Sequence, residues 1–272
     1  MTTEAAERRA GQPVPWTKPV RGGWVIEAAL GVAIFLVYDQ VRDKTMGTAH
    51  QAAIHARQVV DVERFFGIYQ ERHIQHWFIN WHWFLSFWNI YYGTIHFVLP
   101  VVALVVLYHK TPTRYLRWRN TLLILLALGL VGFWLYPLTP PRLMPASYGF
   151  VDTAARFFNF GPQQPIHYLP NGEPTPASIA AFGNLYAAMP SLHMGWSTWS
   201  ALALLPVLRR PWLKVLVCLD PVLTFFAIVV TANHWILDAI GGWVALAIAY
   251  GLAVVLERLC YDTSRRRPVS TS

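Results

Sequence analysis

Six blocks of nearly unbroken apolar residues run along the chain, each close to the length of about 20 residues that carries a helix across the hydrocarbon core. They predict spans at Trp24 to Tyr38, Trp88 to Tyr108, Asn120 to Pro137, Pro190 to Leu208, Trp212 to Ala232 and Trp235 to Leu256. The fold class that follows is all-α: a polytopic membrane helix bundle with about six transmembrane helices. Between the first two spans, Thr45 to Trp83 is polar enough to stay out of the bilayer. Its apolar positions Ile54, Val59, Val62, Phe65, Phe66 and Tyr69 fall near helical spacing, which predicts an amphipathic helix lying at the outer interface as scaffold.

The segment Pro137 to Pro190 breaks this pattern, with ten of the nineteen prolines of the chain. A connection of that length is a cover or binding loop when it is not disordered. Its short apolar pieces, FVDTAARFF and ASIAAFGNLYAAM, predict packing against the membrane surface. Polar stretches at both ends give a division into a tail at 1–22, a membrane-embedded domain at 23–257 and a second tail at 258–272. The basic leader resembles the start of a signal peptide, but no small-residue cleavage site follows the first apolar block, so a retained anchor is expected.

Composition agrees with a membrane protein: 55% of the 272 residues are hydrophobic and 13% charged. The net charge of +8 raises the question of nucleic acid. Fifteen of the 22 Lys and Arg residues, however, fall in 1–22, 109–119, 209–214 and 257–272, the segments that six spans place on one side. Retention of basic residues in the cytoplasm accounts for that bias without a nucleic-acid partner, and puts both termini inside. Two cysteines, Cys218 and Cys260, make neither a disulfide framework nor a thiolate metal cluster.

The same topology brings several polar groups to the opposite, outer face. YPLTPPR ends the third span and places Arg142 there; MPSLH opens the fourth with Ser191 and His193; NHWILD joins the fifth to the sixth with His234 and Asp238. Histidine and aspartate four apart on a helix are neighbours, and the carboxylate then holds one ring nitrogen as N–H and leaves the other free for attack or proton abstraction. A buried pair satisfying itself has the same spacing, but ionisable groups near a bilayer are costly and mark functional sites. Proline, serine and the unpaired amides of a helix start make a seat for phosphate, and His193 in that turn can protonate a leaving oxygen. The Arg142 guanidinium can clamp two phosphate oxygens; the alternative is an interfacial arginine reaching headgroups.

Together these residues describe phosphoryl transfer through a phosphohistidine, with no metal and no cofactor. Three alternatives stay open. Two histidines and a carboxylate also form the facial triad of a metal enzyme, with His193, His234 and Asp238 as ligands. A non-catalytic lipid-binding protein is the second. Asn89, Tyr92 and His96, in WNIYYGTIH on the second span, suit either a substrate site or a polar cluster that ties helices together.

In order, PPR at Pro140 to Arg142, PSLH at Pro190 to His193 and HWILD at His234 to Asp238 resemble the three motifs of the type 2 phosphatidic acid phosphatase superfamily. That pattern normally has a lysine seven residues before the arginine and a proline after it, where Leu135 and Leu143 stand here. Leu192 takes the place of the usual glycine, and Ala227 and Ile228 that of a serine-arginine pair. These departures, the proline-rich PLTPPRLMP and the WNIYYGTIH segment are similar to the inositol phosphorylceramide synthase-like branch. The resemblance covers roughly Val59 to Glu257. It implies His234 as nucleophile, Asp238 as its orienter, His193 as acid for the departing group and Arg142 as a phosphate ligand, beside Ser191 at the helix-start seat, with Asn89, Tyr92 and His96 as candidate substrate contacts. It further implies a lipid-linked phosphate as substrate, with membrane lipids as partners, and water or an alcohol such as inositol as acceptor.

Overall fold

The computed structural model describes residues 23–44, 47–154 and 184–266, the side chains of His96 and of 261–266 excepted. Both tails at their extremes and the middle of the proline-rich segment, with the end of FVDTAARFF and the first half of ASIAAFGNLYAAM, lie outside the described residues. Among the described residues all regular structure is helical: α1 Gly23–Lys44, α2 Ala49–Phe65, α3 Glu71–Phe78, α4 His82–Lys110, α5 Pro112–Leu135, α6 Leu192–Leu204, α7 Pro211–Val230 and α8 Ile236–Arg266, with short 3₁₀ turns at Pro141–Leu143 and Ala146–Tyr148.

Five of these helices, α1, α4, α5, α7 and α8, are long and apolar enough to cross a membrane. The expected fourth span is different. Helix α6 has 13 residues, and at a rise of about 1.5 Å per residue it covers about two thirds of the hydrocarbon thickness. Ser191 caps its start, and Pro206, just past the C-cap Leu205, lacks the N–H needed to continue it. Its residues are apolar because they face protein: α6 sits among α4, α5, α7 and α8, with Met194, Trp196, Trp199 and Leu204 buried. Enclosed in this way, α6 with the turn that follows it carries the chain from the site end of the bundle to the basic connection Arg209 to Lys214.

Close packing sets where α6 begins. A Cβ at Gly242 would collide with the carbonyl oxygen of Ser191, so only glycine lets α8 approach the start of α6 this closely. The Ser191 N–H donates to the Asp238 carbonyl at 2.9 Å, which locks the two helix starts together.

The remaining helices hold the bundle from outside. Helix α1 is largely exposed, and Glu27 in its first half accepts from Arg119 at 2.7 Å and from the Tyr115 hydroxyl at 2.9 Å on α5. At the other end of α1, Asn184 donates through its side chain to the Arg42 carbonyl and through its backbone N–H to Asp43.

The interfacial segment forms two helices rather than one. Gly67, at φ 68°, turns the chain between α2 and α3. The face that α2 buries is Ala52, Ala56, Val59, Val60 and Glu63, whereas Val62, Phe65 and Phe66 are exposed. Glu63 and Glu71, on α2 and α3, are completely buried. Gln75 on α3 clamps the backbone of Val151, donating to its carbonyl at 2.8 Å and accepting its N–H at 3.0 Å. That fixes the loop carrying Asp152 and Thr153.

Candidate active site

The chain reverses between α7 and α8 through Ala232, which adopts φ 57°, a left-handed conformation uncommon for a residue with a Cβ. The turn sends the N–H groups of both Asn233 and His234 to the carbonyl of Ile228, at 2.9 and 3.2 Å. His234 therefore precedes the helix, and Asp238 lies in its first turn, where the sequence reading had put both on continuous helix. The pair meets all the same. Asp238 Oδ2 accepts the Trp235 backbone N–H at 3.0 Å, in the manner of a capping box, and lies 3.2 Å from His234 Nδ1. An acceptor-only carboxylate in that place keeps the proton of His234 on Nδ1 and its lone pair on Nε2.

His234 Nε2 faces His193 Nδ1 at 3.3 Å. With the tautomer fixed by Asp238, the direction follows: His193 Nδ1–H donates to the Nε2 lone pair. His193 stacks on Tyr92 at 4.1 Å between ring centroids. The two histidines and Asp238 thus form a hydrogen-bonded line. Among the described residues no group of His, Cys, Asp or Glu side chains converges so as to hold a metal ion, and the line made by His193, His234 and Asp238 does not surround a common point, as a triad of ligands must.

Arg142 reaches the same place from the PLTPPR segment, which is strung between neighbours by backbone bonds: Leu138 N–H to the Tyr186 carbonyl, Thr139 N–H to that of Ala52 and Arg142 N–H to that of Ala232. The Trp235 indole N–H donates to the Thr139 carbonyl at 2.9 Å. The guanidinium donates from Nε to Asn233 Oδ1 at 2.9 Å and from Nη1 to Asp152 at 3.0 Å. Held in this way, Arg142 is an oriented cation beside the histidines.

These groups line a cavity of about 360 Å³. Arg142, Asn233, His193 and His234 supply its polar wall, and Phe35, Phe97, Phe133 and Trp196 an apolar one. That pairing suits an amphiphile with an anionic head. Asn89 and Tyr92 also line it. Asn89 donates to the Leu85 carbonyl and to the Thr153 hydroxyl, which in turn donates to the Thr231 carbonyl, so it ties α4 to the site loop as well as facing the cavity. The side chain of His96 is outside the described residues. Ser191 is fully buried; its hydroxyl accepts the Met194 N–H as the cap of α6 and is not among the groups that face the cavity.

Arg42, from the end of α1, is a second cation on the cavity wall, held by Asp39 and Asp43 at 2.8 and 2.9 Å. Neither it nor Asn233 and Asp152, the two partners of Arg142, stands out in the sequence reading. The available signals were Asn233 directly before His234 and a carboxylate inside the apolar piece FVDTAARFF.

Fold and site together define a polytopic membrane protein with a histidine- and arginine-lined cavity for an anionic headgroup. A family model described as the PAP2 superfamily matches residues 57–252, and the chain belongs to that superfamily. It is therefore a phosphatase-type enzyme of the membrane, with lipid phosphates as its class of substrate. Searches of curated proteins and of solved structures return no match.

Proposed function

We propose that the protein transfers a phosphoryl-containing group from a lipid phosphate to His234 and from there to water or to an alcohol such as inositol. The observation that carries this reading is the line Asp238, His234, His193 at the wall of a cavity that is apolar on its other side. In the first step His234 Nε2 bonds to phosphorus, the bond from phosphorus to the lipid-side oxygen breaks, and His193, entering as the doubly protonated imidazolium, gives that oxygen a proton and becomes neutral. In the second, His193 takes a proton from the acceptor hydroxyl, whose oxygen displaces His234. Arg142 holds two of the phosphoryl oxygens throughout, and Asp238 stabilises the charge that appears on the His234 ring.

The 3.3 Å contact between the histidines is the resting pair. A phosphoryl group entering on Nε2 separates them and turns the His193 proton toward the leaving oxygen. Asn89 and Tyr92 complete the headgroup side, and Ser191 acts through the helix start it caps. The basic connections, Lys110 to Arg119 and Arg209 to Lys214, lie at the end of the bundle away from His234, because α4 and α6 each run from the site toward them. That distribution supports termini in the cytoplasm and a site at the outer face.

Two assays of the detergent-purified protein test the reaction. Supplying phosphatidic acid or phosphatidylinositol with inositol, glycerol or no alcohol is expected to release diacylglycerol, with the transferred group recovered as inorganic phosphate, a phosphate monoester or a new phosphodiester; no release of diacylglycerol from any combination would overturn the reading. His193→Ala is expected to lower kcat on a lipid phosphate by about 10²- to 10⁴-fold, the usual range for a general acid. It should impair the first-turnover release of p-nitrophenol from p-nitrophenyl phosphate far less, since that leaving group departs without a proton and the burst precedes the step in which His193 acts as base. Equal losses in first-turnover release from both substrates would remove His193 from the role of acid.

A further inference from the structure

Two acidic residues of the interfacial helices touch the start of the helix that carries the site. Glu63 Oε1 accepts the Leu237 N–H at 2.8 Å, and Glu71 Oε1 accepts the Ile236 N–H at 2.9 Å. With Asp238 on the Trp235 N–H, three consecutive unpaired amides at the start of α8 are each met by a carboxyl oxygen. Helix starts ordinarily meet such amides with one capping side chain and water.

Neither glutamate has water to help it. Both are 0% exposed, and the second oxygen of each, Oε2, finds no donor among the other described residues. The two carboxyls sit on adjacent amides of one helix turn, each with that second oxygen buried and unmet. Two carboxylates are both acceptors, so they can bond to each other only if a proton lies between them. Burial first, and then Glu71 beside it, push the Glu63 carboxyl up to about 10, as expected when two acids share one dry site. The charged and titratable groups facing Glu63 are Glu71 on α3 and Asp238 on α8.

We propose that Glu63 and Glu71 share one proton and, as a singly charged acid pair seated on the first turn of α8, are positioning residues for His234 and Asp238. The net single negative charge complements the positive end of the helix dipole. The shared proton spares Asp238 a second full carboxylate close by. The catalytic part of this proposal rests on the phosphohistidine reading; the shared proton does not.

Glutamine in place of one partner tests it sharply. In Glu63→Gln the amide oxygen keeps the Leu237 N–H and the amide nitrogen donates to the Glu71 carboxylate; Glu71→Gln works in mirror image, with Glu63 ionised. In the double variant the two amide nitrogens face each other, and no acceptor remains between them. Each single variant is therefore expected to melt and turn over phosphatidic acid much as the wild type does. The double variant is expected to melt lower and to lose about 100-fold in kcat with little change in KM, the size of effect that a misplacement of about 1 Å produces.

Equal damage from either single variant and from the double would show two independent caps and overturn the sharing, as would a double variant indistinguishable from wild type. A pH series supplies a second measurement if the double variant does not fold. Glu63 releases its proton near 4.5 when unfolded but holds it up to about 10 in the fold. Its stabilisation is thus present below 4.5 and lost progressively as the pH rises to about 10. Melting temperatures of wild type relative to Glu63→Gln should fall across that window, and the wild-type kcat should show an alkaline limb that Glu63→Gln lacks. A flat difference in melting overturns the shared proton, and identical alkaline limbs overturn the positioning role. If the wild type turns over no lipid phosphate, the reaction reading fails, and the melting series still judges the pair.

Discussion

His234→Gln is expected to abolish turnover, lowering kcat on a lipid phosphate by about 10⁵-fold or more, the scale seen when a covalent nucleophile is removed. Glutamine is the informative replacement. His234 is nearly buried and its Nδ1 lies 3.2 Å from Asp238 Oδ2. Alanine would leave a hole beside His193 and a buried carboxylate short of a partner, and loss of activity could then follow from loss of fold. The glutamine amide can still donate to Asp238, yet offers no nitrogen lone pair to phosphorus. The variant should melt close to wild type and fail to bind vanadate in chelator-treated buffer, where the wild type binds it tightly as a mimic of the transferring phosphoryl group. Turnover above about 1% of wild type would be far too fast for a protein without its nucleophile, and would sink the phosphohistidine mechanism.

The bundle was legible because span length and apolarity are imposed by the bilayer on each helix separately. The expected spans correspond to α1, α4, α5, α7 and α8, several of which run on beyond the apolar block, as α5 does by starting at Pro112 rather than Asn120. Helix α6 is shorter than its apolar block for a physical reason: hydropathy records that Trp196 and Trp199 avoid water but not where the helix is stopped. Pro206 carried the missing information. The apolar positions of α2 divide between two surroundings that periodicity does not separate. Phe65 and Phe66 are 83% and 67% exposed, as suits side chains at a lipid surface, while Glu63, two residues earlier, takes the interior.

Within the site, the spacing of His234 and Asp238 is a local fact and could be read directly. The meeting of His193 with His234 followed from topology, since both begin segments on the same face. What anchors Arg142 is neither local nor periodic. Asn233 and Asp152 reach it through a left-handed turn at Ala232 and a loop clamped by Gln75. The burial of Glu63 and Glu71 is likewise tertiary, because in sequence they belong to a polar interfacial stretch and read as solvated charges.

Asp238 should separate charge from proton placement. Asp238→Ala removes the acceptor for both His234 Nδ1–H and the Trp235 N–H, and a loss of about 10⁴-fold in kcat is expected from an orienting carboxylate. Asp238→Asn is isosteric, and elsewhere such a change can trap the wrong histidine tautomer, with the amide nitrogen donating to the ring. Here the Trp235 backbone N–H opposes that flip. It points at the same Oδ2 position, and an amide nitrogen there would meet a donor with a donor. The asparagine oxygen is thus held where Oδ2 was, the other position being occupied by Oδ1, which has no hydrogen-bond partner among the described residues. His234 keeps its proton on Nδ1 and loses only the negative charge that balances the phosphorylated ring. The expected loss for Asp238→Asn is accordingly smaller, about 10²- to 10³-fold, in the range of a single electrostatic stabiliser. Measured side by side, with melting curves as a control on the lost cap in the alanine variant, a clear gap between the two supports the pinned amide. Equal losses would mean that the amide has flipped despite Trp235, and that the backbone does not set the tautomer of His234.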